Sequence, residues 1–193
     1  MSKDNLRQSH SAWRDIAVTQ LSNANNVILG FATGFILFCV DKCEKNPLNW
    51  DFAFSFKQLF LVLCLISLLF SILYGMAVLI CRLYDFRLTR HIAFTRLRDE
   101  TLKEDYNEFK NANMCDRFAS LKMVLFKKIK FIPATDSRNN KTNKNDFNDL
   151  RELCFFLGDA SWTWMKFQFF YFVLGCFFFV FYFIHHIIWL SAL

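Results

Sequence analysis

The apolar run of residues 59–81 restricts the fold more than any other part of the chain. It reads LFLVLCLISLLFSILYGMAVLIC and contains no charged residue. At about 1.5 Å per helical residue the run measures roughly 35 Å, more than the roughly 30 Å hydrocarbon thickness of a bilayer. Soluble domains seldom contain an uncharged apolar run longer than about 18 residues. The run therefore predicts a helix that spans a membrane.

Two further segments complete a prediction of three spans, at residues 16–40, 58–81 and 161–190. The apolar core of the first, residues 27–40, is too short to cross alone, so this span has to begin near Gln20. Tryptophans flank the last span as an aromatic belt would, namely Trp162, Trp164 and Trp189. With 54% hydrophobic residues and 26 Phe, the chain is predicted to be an all-α integral membrane protein.

Neither Gly nor Pro follows the second span until Pro133. We therefore expect the helix of that span to continue as a long amphipathic helix over residues 82–110, projecting into water. This helix opens a helical domain at residues 82–160, because helices with one apolar face bury that face against each other.

Three shorter segments complete that domain. Residues 116–131 have the pattern of a basic amphipathic helix, which would lie on an anionic leaflet or pack on the long helix. Residues 134–148 are polar and predict a flexible loop. A short helix over residues 146–157 is expected to stop at Gly158, with Asp159 as the cap of the last span.

The distribution of charge predicts the orientation of the spans. The loop at residues 41–57 balances three Lys against three acidic residues, whereas residues 82–166 hold 17 Lys and Arg against 12 Asp and Glu. Positively charged segments remain on the cytoplasmic side of a membrane. We expect residues 1–15 and 82–160 to be cytoplasmic, and the 41–57 loop and the C-terminus to be external.

Small and uncharged polar residues form stripes along the first two spans. In lipid, helices associate through close packing and interhelical hydrogen bonds, which small and amide-bearing residues allow. The stripes either pack the helices of one chain together or mediate a homo-oligomer. The amides have three possible roles: solvation at the membrane–water interface, hydrogen bonding between helices, or lining a conduit. The candidates for pore lining or helix packing are Gln20, Asn23, Asn26, Gly30, Gly34, Ser67, Ser71 and Gly75.

Basic residues after the second span form the other candidate surface. They would contact anionic headgroups or a cytoplasmic protein partner. The candidates are Arg82, Arg87, Arg90, Lys122, Lys127, Lys128 and Lys130. The formal charge of +6 follows from membrane topology, so we do not expect direct nucleic-acid binding.

Several classes of function lack support in the sequence. No charged residue occurs within 59–81 or 167–193, although ion-coupled transporters need such groups near the bilayer midplane. No phosphate-binding loop, HExxH, GxSxG or CxxC motif occurs, so we expect neither an enzyme nor a metal or cofactor. His91 with Asp85 is the best constellation for a lipid-modifying enzyme, which is the third hypothesis.

The segments CRLYDFRLTRHIAFTR, NANNVILGFATG and WTWMKFQFFYFVLG give the chain a familiar layout. In that layout it resembles small bacterial membrane proteins of anti-phage loci, including the membrane accessory proteins of type VI CRISPR systems. The resemblance covers most of the chain and rests on no catalytic motif. It implies a membrane effector that compromises the host membrane, or an accessory protein that modulates a nuclease.

The sequence therefore favours an oligomeric membrane effector that forms or gates a pore, or otherwise perturbs the membrane. The alternative is a non-conducting scaffold, in which residues 117–130 and 134–148 recruit or regulate a soluble partner. The two hypotheses differ in what the amides of the first span do, since only a pore needs them for conduction.

Overall fold

The computed structural model describes residues 3–45, 56–98, 113–126, 129, 131–132 and 140–191. Within these residues four helices follow one another: α1 is Lys3–Lys45, α2 is Phe56–Arg98, α3 is Met114–Phe126 and α4 is Asn140–Ser191. No strand occurs among them. The all-α prediction is confirmed.

Three of these helices contain stretches long and apolar enough to cross a membrane. The stretches are Thr19–Asp41 in α1, Gln58–Arg96 in α2 and Lys144–Ile184 in α4. In length and composition they confirm the prediction of three candidate spans. α2 also runs without interruption through Arg98, so the helix continues beyond residue 81 as expected. Residues 99–110 of the predicted long helix lie outside the described part of the chain.

The buried residues of α2 lie on one face of the helix. Because almost every residue of 59–81 is apolar, this face cannot be identified from the pattern of apolar residues alone. Its buried positions recur every three or four residues, which keeps one face of a helix against its neighbours. The positions with this spacing are Leu61, Cys64, Leu68, Ser71, Gly75, Val78, Cys81, Asp85, Leu88 and Ile92, and Ser67 is buried beside Leu68. One face of α2 is therefore buried both in the uncharged run of residues 59–81 and in the charged segment that follows that run.

The chain divides into two compact units, and the first comprises residues 1–76 and 165–193. Its core holds Ala32 and Cys39 from α1, Leu61, Cys64 and Leu68 from α2, and Tyr182 from α4. Aromatic pairs join α4 to both other helices. The rings of Phe35 and Phe179 lie 5.3 Å apart, and those of Tyr74 and Tyr171 stack at 5.5 Å. Large aromatic side chains therefore supply much of the packing in this unit.

The second unit is Ala77–Trp164, in which α3 packs on α4. Trp164 is only 1% exposed and meets Phe118 of α3 edge to face, with ring centroids 4.6 Å apart. An ion pair joins the same two helices, since the guanidinium of Arg117 lies 2.7 Å from the Asp159 carboxylate. The aromatic-belt prediction is therefore wrong for Trp164, whereas Trp162 is exposed.

α4 differs from the prediction at its start and at Gly158. The helix begins at Asn140, so residues 140–148 are helical where a flexible loop was predicted. It also continues through Gly158, where we expected a stop. A single Gly costs a helix only about 1 kcal/mol, and burial of Leu157 and Ala160 on either side offsets that cost. Asp159 pairs with Arg117 and does not cap a new helix.

α3 is shorter than the helix predicted over residues 116–131. It ends at Phe126, and residues 129, 131 and 132 are not helical. Lys127, Lys128 and Lys130 lie outside the described residues, as do residues 46–55 of the predicted external loop and 134–139 of the predicted polar loop.

Candidate functional site

The amides and glycines predicted in α1 share one exposed face, here called the α1 polar face. Gln20, Asn23 and Asn26 are exposed, and so are Gly30 and Gly34. A Cβ atom built on either glycine meets no described atom within 4 Å, apart from the backbone of its own helix. The GxxxG of α1 is therefore not used for packing among the described residues of this chain.

The small residues predicted as a stripe in α2 are buried, unlike those of α1. They are Ser67, Ser71 and Gly75. The hydroxyl of Ser71 donates a 3.1 Å hydrogen bond to the backbone carbonyl of Gln168 in α4. A Cβ atom built on Gly75 would lie 2.6 Å from Gln168 Nε2 and 2.7 Å from Leu29 Cδ2. Small residues here let α1 and α4 approach α2 closely, which is helix packing within one chain.

Two amides that the sequence analysis did not select are buried in this unit. Asn25 of α1 and Gln168 of α4 are each 0% exposed. The side-chain nitrogen and oxygen of both have no hydrogen-bond partner among the described residues. Gln168 touches the Gly75 position, and so does Leu29, which follows Asn25 by one helical turn. Such groups cost free energy when buried without partners, so this layer is the most polar part of an otherwise apolar core.

The spacing of Asn25 is a signal of its burial only once the buried face of α1 is known. Asn25 follows Leu21 by four residues and precedes Ala32 by seven, and Cys39 comes seven residues later, all of them buried. Such intervals place residues on one helix face. The burial of Gln168 was harder to infer, because the aromatic residues next to it in the sequence occur on every side of the helix and define no single apolar face.

The basic candidates of the second unit make contacts with aromatic rings. The guanidinium carbon of Arg82 lies 5.8 Å from the ring of Trp162, that of Arg87 lies 5.1 Å from Phe131, and that of Arg90 lies 5.6 Å from Phe94. Lys122 is exposed on α3. Three of the predicted arginines therefore make cation–π contacts.

Asp85 and His91, the enzyme candidates, hydrogen-bond to other residues. The thiol of Cys154 lies 3.1 Å from Asp85 Oδ1, to which it donates a hydrogen bond. His91 Nε2 accepts a 3.2 Å hydrogen bond from the backbone N–H of Ile132. These bonds hold α4 and residues 131–132 against α2, which is a positioning role.

A groove of about 550 Å³ lies between α3 and α4 within the second unit. Its apolar lining includes Ala119, Met123, Leu150, Leu153 and Phe156. Four carboxylates also line it, from Asp116, Asp146, Asp149 and Glu152. Among the described residues no group of three or more His, Cys, Asp or Glu is placed to hold a metal ion. The feature, here called the acidic groove, thus combines an apolar floor with dispersed negative charge.

Comparison with known proteins returns no relative. No protein-family model matches the chain, and neither does any curated protein or solved structure. Functional inference therefore has to come from the residues and their geometry.

Proposed function

We propose that the chain is a multi-pass protein of the bacterial inner membrane that self-associates through the α1 polar face and thereby opens a polar path across the membrane. The observation that carries the proposal is the exposure of Asn23, Asn26, Gly30 and Gly34 on one face of a candidate span. In this proposal residues 82–160 are cytoplasmic and the C-terminus is external, because the basic residues cluster after the second span.

The bilayer supplies the physical reason for association. Asn26 follows Thr19, the start of the candidate span, by seven residues, which is about 10 Å along a helix. At that depth an amide meets hydrocarbon unless protein or water satisfies it. A second copy satisfies it, because glycines one turn further on let two α1 helices approach closely. Interhelical hydrogen bonds of this kind contribute roughly 1–2 kcal/mol each.

The chemistry of the path follows from the same residues. Amides repeated around a symmetry axis form a ring that is polar but uncharged. Such a ring conducts water and small solutes with little selection for the sign of charge. We further propose that this permeabilisation serves anti-phage defence, as the resemblance in layout implies, by compromising the membrane of an infected cell.

Replacing Asn23 and Asn26 with Leu is expected to reduce both assembly and leakage. With two interhelical hydrogen bonds lost per contact, association should weaken about tenfold or more. The measurements are the mass of the purified complex in detergent and dye leakage from liposomes that contain the full chain. Phe177→Leu, at an exposed position of α4, serves as the control and should leave both unchanged. A wild-type chain that is monomeric, or liposomes that remain sealed, would contradict the proposal.

The acidic groove supports a second candidate function, a membrane scaffold for a soluble partner. Its occupant would be a basic amphipathic helix, because the apolar floor accepts one face of a helix and the carboxylates face lysines or arginines along its edges. Asp146, Asp149 and Glu152 are exposed and so are open to such a partner. Residues 99–112 of this chain do not complement the groove, since they carry five acidic residues against two basic ones.

A synthetic Leu/Lys helix with apolar residues at i, i+3, i+4 and i+7 is the probe for this second function. Full-length protein in detergent should bind the probe, and the triple variant Asp146→Asn/Asp149→Asn/Glu152→Gln should bind it roughly tenfold more weakly, since exposed ion pairs contribute up to about 1 kcal/mol each. Asp41→Asn, outside the groove, should retain binding.

Equal binding of a Leu/Glu helix would dismiss the scaffold role. Loss of self-association in the triple variant would instead assign the groove to a second copy of the chain. The α1 polar face variants separate the two functions, because they should keep the probe while losing leakage.

A further inference from the structure

The Ala77–Trp164 unit contains a second cavity, which is lined by basic side chains where the acidic groove is lined by carboxylates. It has a volume of about 300 Å³ and is lined by Arg87, Arg90, His91, Phe94 and Phe131. Two guanidinium groups and one imidazole thus surround a space that no carboxylate lines among the residues that the structure describes. We call it the basic pocket.

Contacts with neighbouring groups hold the lining side chains in place. Arg87 lies over the ring of Phe131 and Arg90 over the ring of Phe94, at 5.1 and 5.6 Å. His91 meets Phe131 edge to face at 5.1 Å, and its Nε2 accepts the Ile132 N–H. Each arginine therefore has its guanidinium carbon over an aromatic ring, and its N–H groups are its means of binding an anion.

Neither arginine is neutralised within the described residues. The ion pair between Arg117 and Asp159, in the same unit, involves neither of them. Asp85, the acidic residue nearest to them in the sequence, is buried and accepts the thiol hydrogen of Cys154. Arg87 and Arg90 are both exposed. The pocket therefore carries two positive charges without a counter-ion from that part of the chain.

We propose that the basic pocket binds a phosphate group, with Arg87 and Arg90 as its ligands and His91 and Phe131 as positioning residues. A guanidinium presents parallel N–H donors that match two phosphate oxygens, and two such groups bind the anion from two directions. The aromatic walls accept an apolar or planar part of the molecule that carries the phosphate. The volume is at the small end of the range for ligand sites, about 300–1,000 Å³.

Two sources could supply this phosphate chemistry. Arg87 follows Cys81, the end of the uncharged run, by six residues, or about 9 Å along the helix. Because the polar headgroup zone is several ångströms thick on each side of the roughly 30 Å hydrocarbon core, a phospholipid headgroup is within reach. A soluble phosphorylated compound would reach the same pocket from the water.

The test uses full-length protein in nanodiscs and two probes. Retention of phosphatidylglycerol through delipidation, read by native mass spectrometry, reports the lipid source. Pyrophosphate binding in phosphatidylcholine nanodiscs reports the soluble source. Arg87→Gln/Arg90→Gln should weaken binding of the relevant probe at least about tenfold, since each charge-assisted bidentate contact is strong. Arg87→Lys/Arg90→Lys should give an intermediate loss, because lysine keeps the charge but not the paired donors.

Arg151→Gln is the matched control. Arg151 also lies over an aromatic ring, with its guanidinium carbon 6.0 Å from the ring of Phe147, but it does not line the pocket. The control should bind both probes as the wild type does. The proposal is overturned if neither probe binds the wild-type protein, or if the double glutamine variant and the Arg151 variant bind equally.

Discussion

Replacing Gly75 with leucine is expected to destabilise the first unit by about 3 kcal/mol or more, because the close packing of α1, α2 and α4 leaves no room for a side chain. A Cβ atom at this position lies 2.6 Å from Gln168 Nε2 and 2.7 Å from Leu29 Cδ2, before the rest of the leucine is added. The end of the Gln168 side chain can rotate away, but Leu29 approaches from another helix. The measurement is the melting temperature of the purified protein in detergent.

Gly158→Ala is the control, and we expect it to raise the stability where Gly75→Leu lowers it. Gly158 is also helical, but a Cβ atom built on it meets nothing within 4 Å outside its own helix backbone. Alanine should therefore stabilise α4 by about 0.5–1 kcal/mol through its higher helix propensity. Gly75→Ala should fall between wild type and Gly75→Leu. If Gly75→Leu melts at the wild-type temperature, the close approach at Gly75 does not occur in the folded protein.

Replacing Trp164 with alanine should cost about 3–5 kcal/mol of stability, the usual range for a large buried aromatic residue. Trp164 is 1% exposed, and Phe118 packs edge to face on its ring. Removal leaves a cavity between α3 and α4 and deprives Phe118 of its partner. We expect α3 to detach locally, so protease cleavage within residues 113–126 should accelerate.

Trp162→Ala is the matched comparison, two residues away on the same helix. Trp162 is 47% exposed and lies near Arg82, so its loss should change stability by less than about 1 kcal/mol. Equal protease sensitivity of the two variants would show that Trp164 does not fasten α3 to α4.

The fold class and the three candidate spans were predictable because they depend on length and polarity alone. The run at 59–81 contains no charge over a stretch long enough to cross a bilayer, and α2 contains it. These features need no knowledge of neighbouring helices. The burial of Ser67, Ser71 and Gly75 agrees with one of the alternatives that the sequence left open, packing within one chain, which small residues at intervals of four favour.

The choice among adjacent amides was not predictable in the same way. Asn23, Asn25 and Asn26 have similar chemistry, and successive helical positions differ by about 100° in direction. Which of them faces inward depends on where α2 and α4 lie, and the structure buries Asn25. The helical start of α4 was missed because residues 140–148 contain one large apolar residue, Phe147. That residue is 1% exposed, and its burial contributes to stabilising a segment that composition alone assigns to a loop.

The buried amides have a consequence for how the protein is made. Asn25 is translated early and Gln168 late, and both are buried in the folded first unit, to which α1, α2 and α4 all contribute. Released singly into lipid, either helix would expose a bare amide to the acyl chains. We therefore expect α1 to remain bound to the membrane-insertion machinery until α4 has been synthesised. A chain truncated before residue 165 should then be recognised by quality-control proteases and degraded.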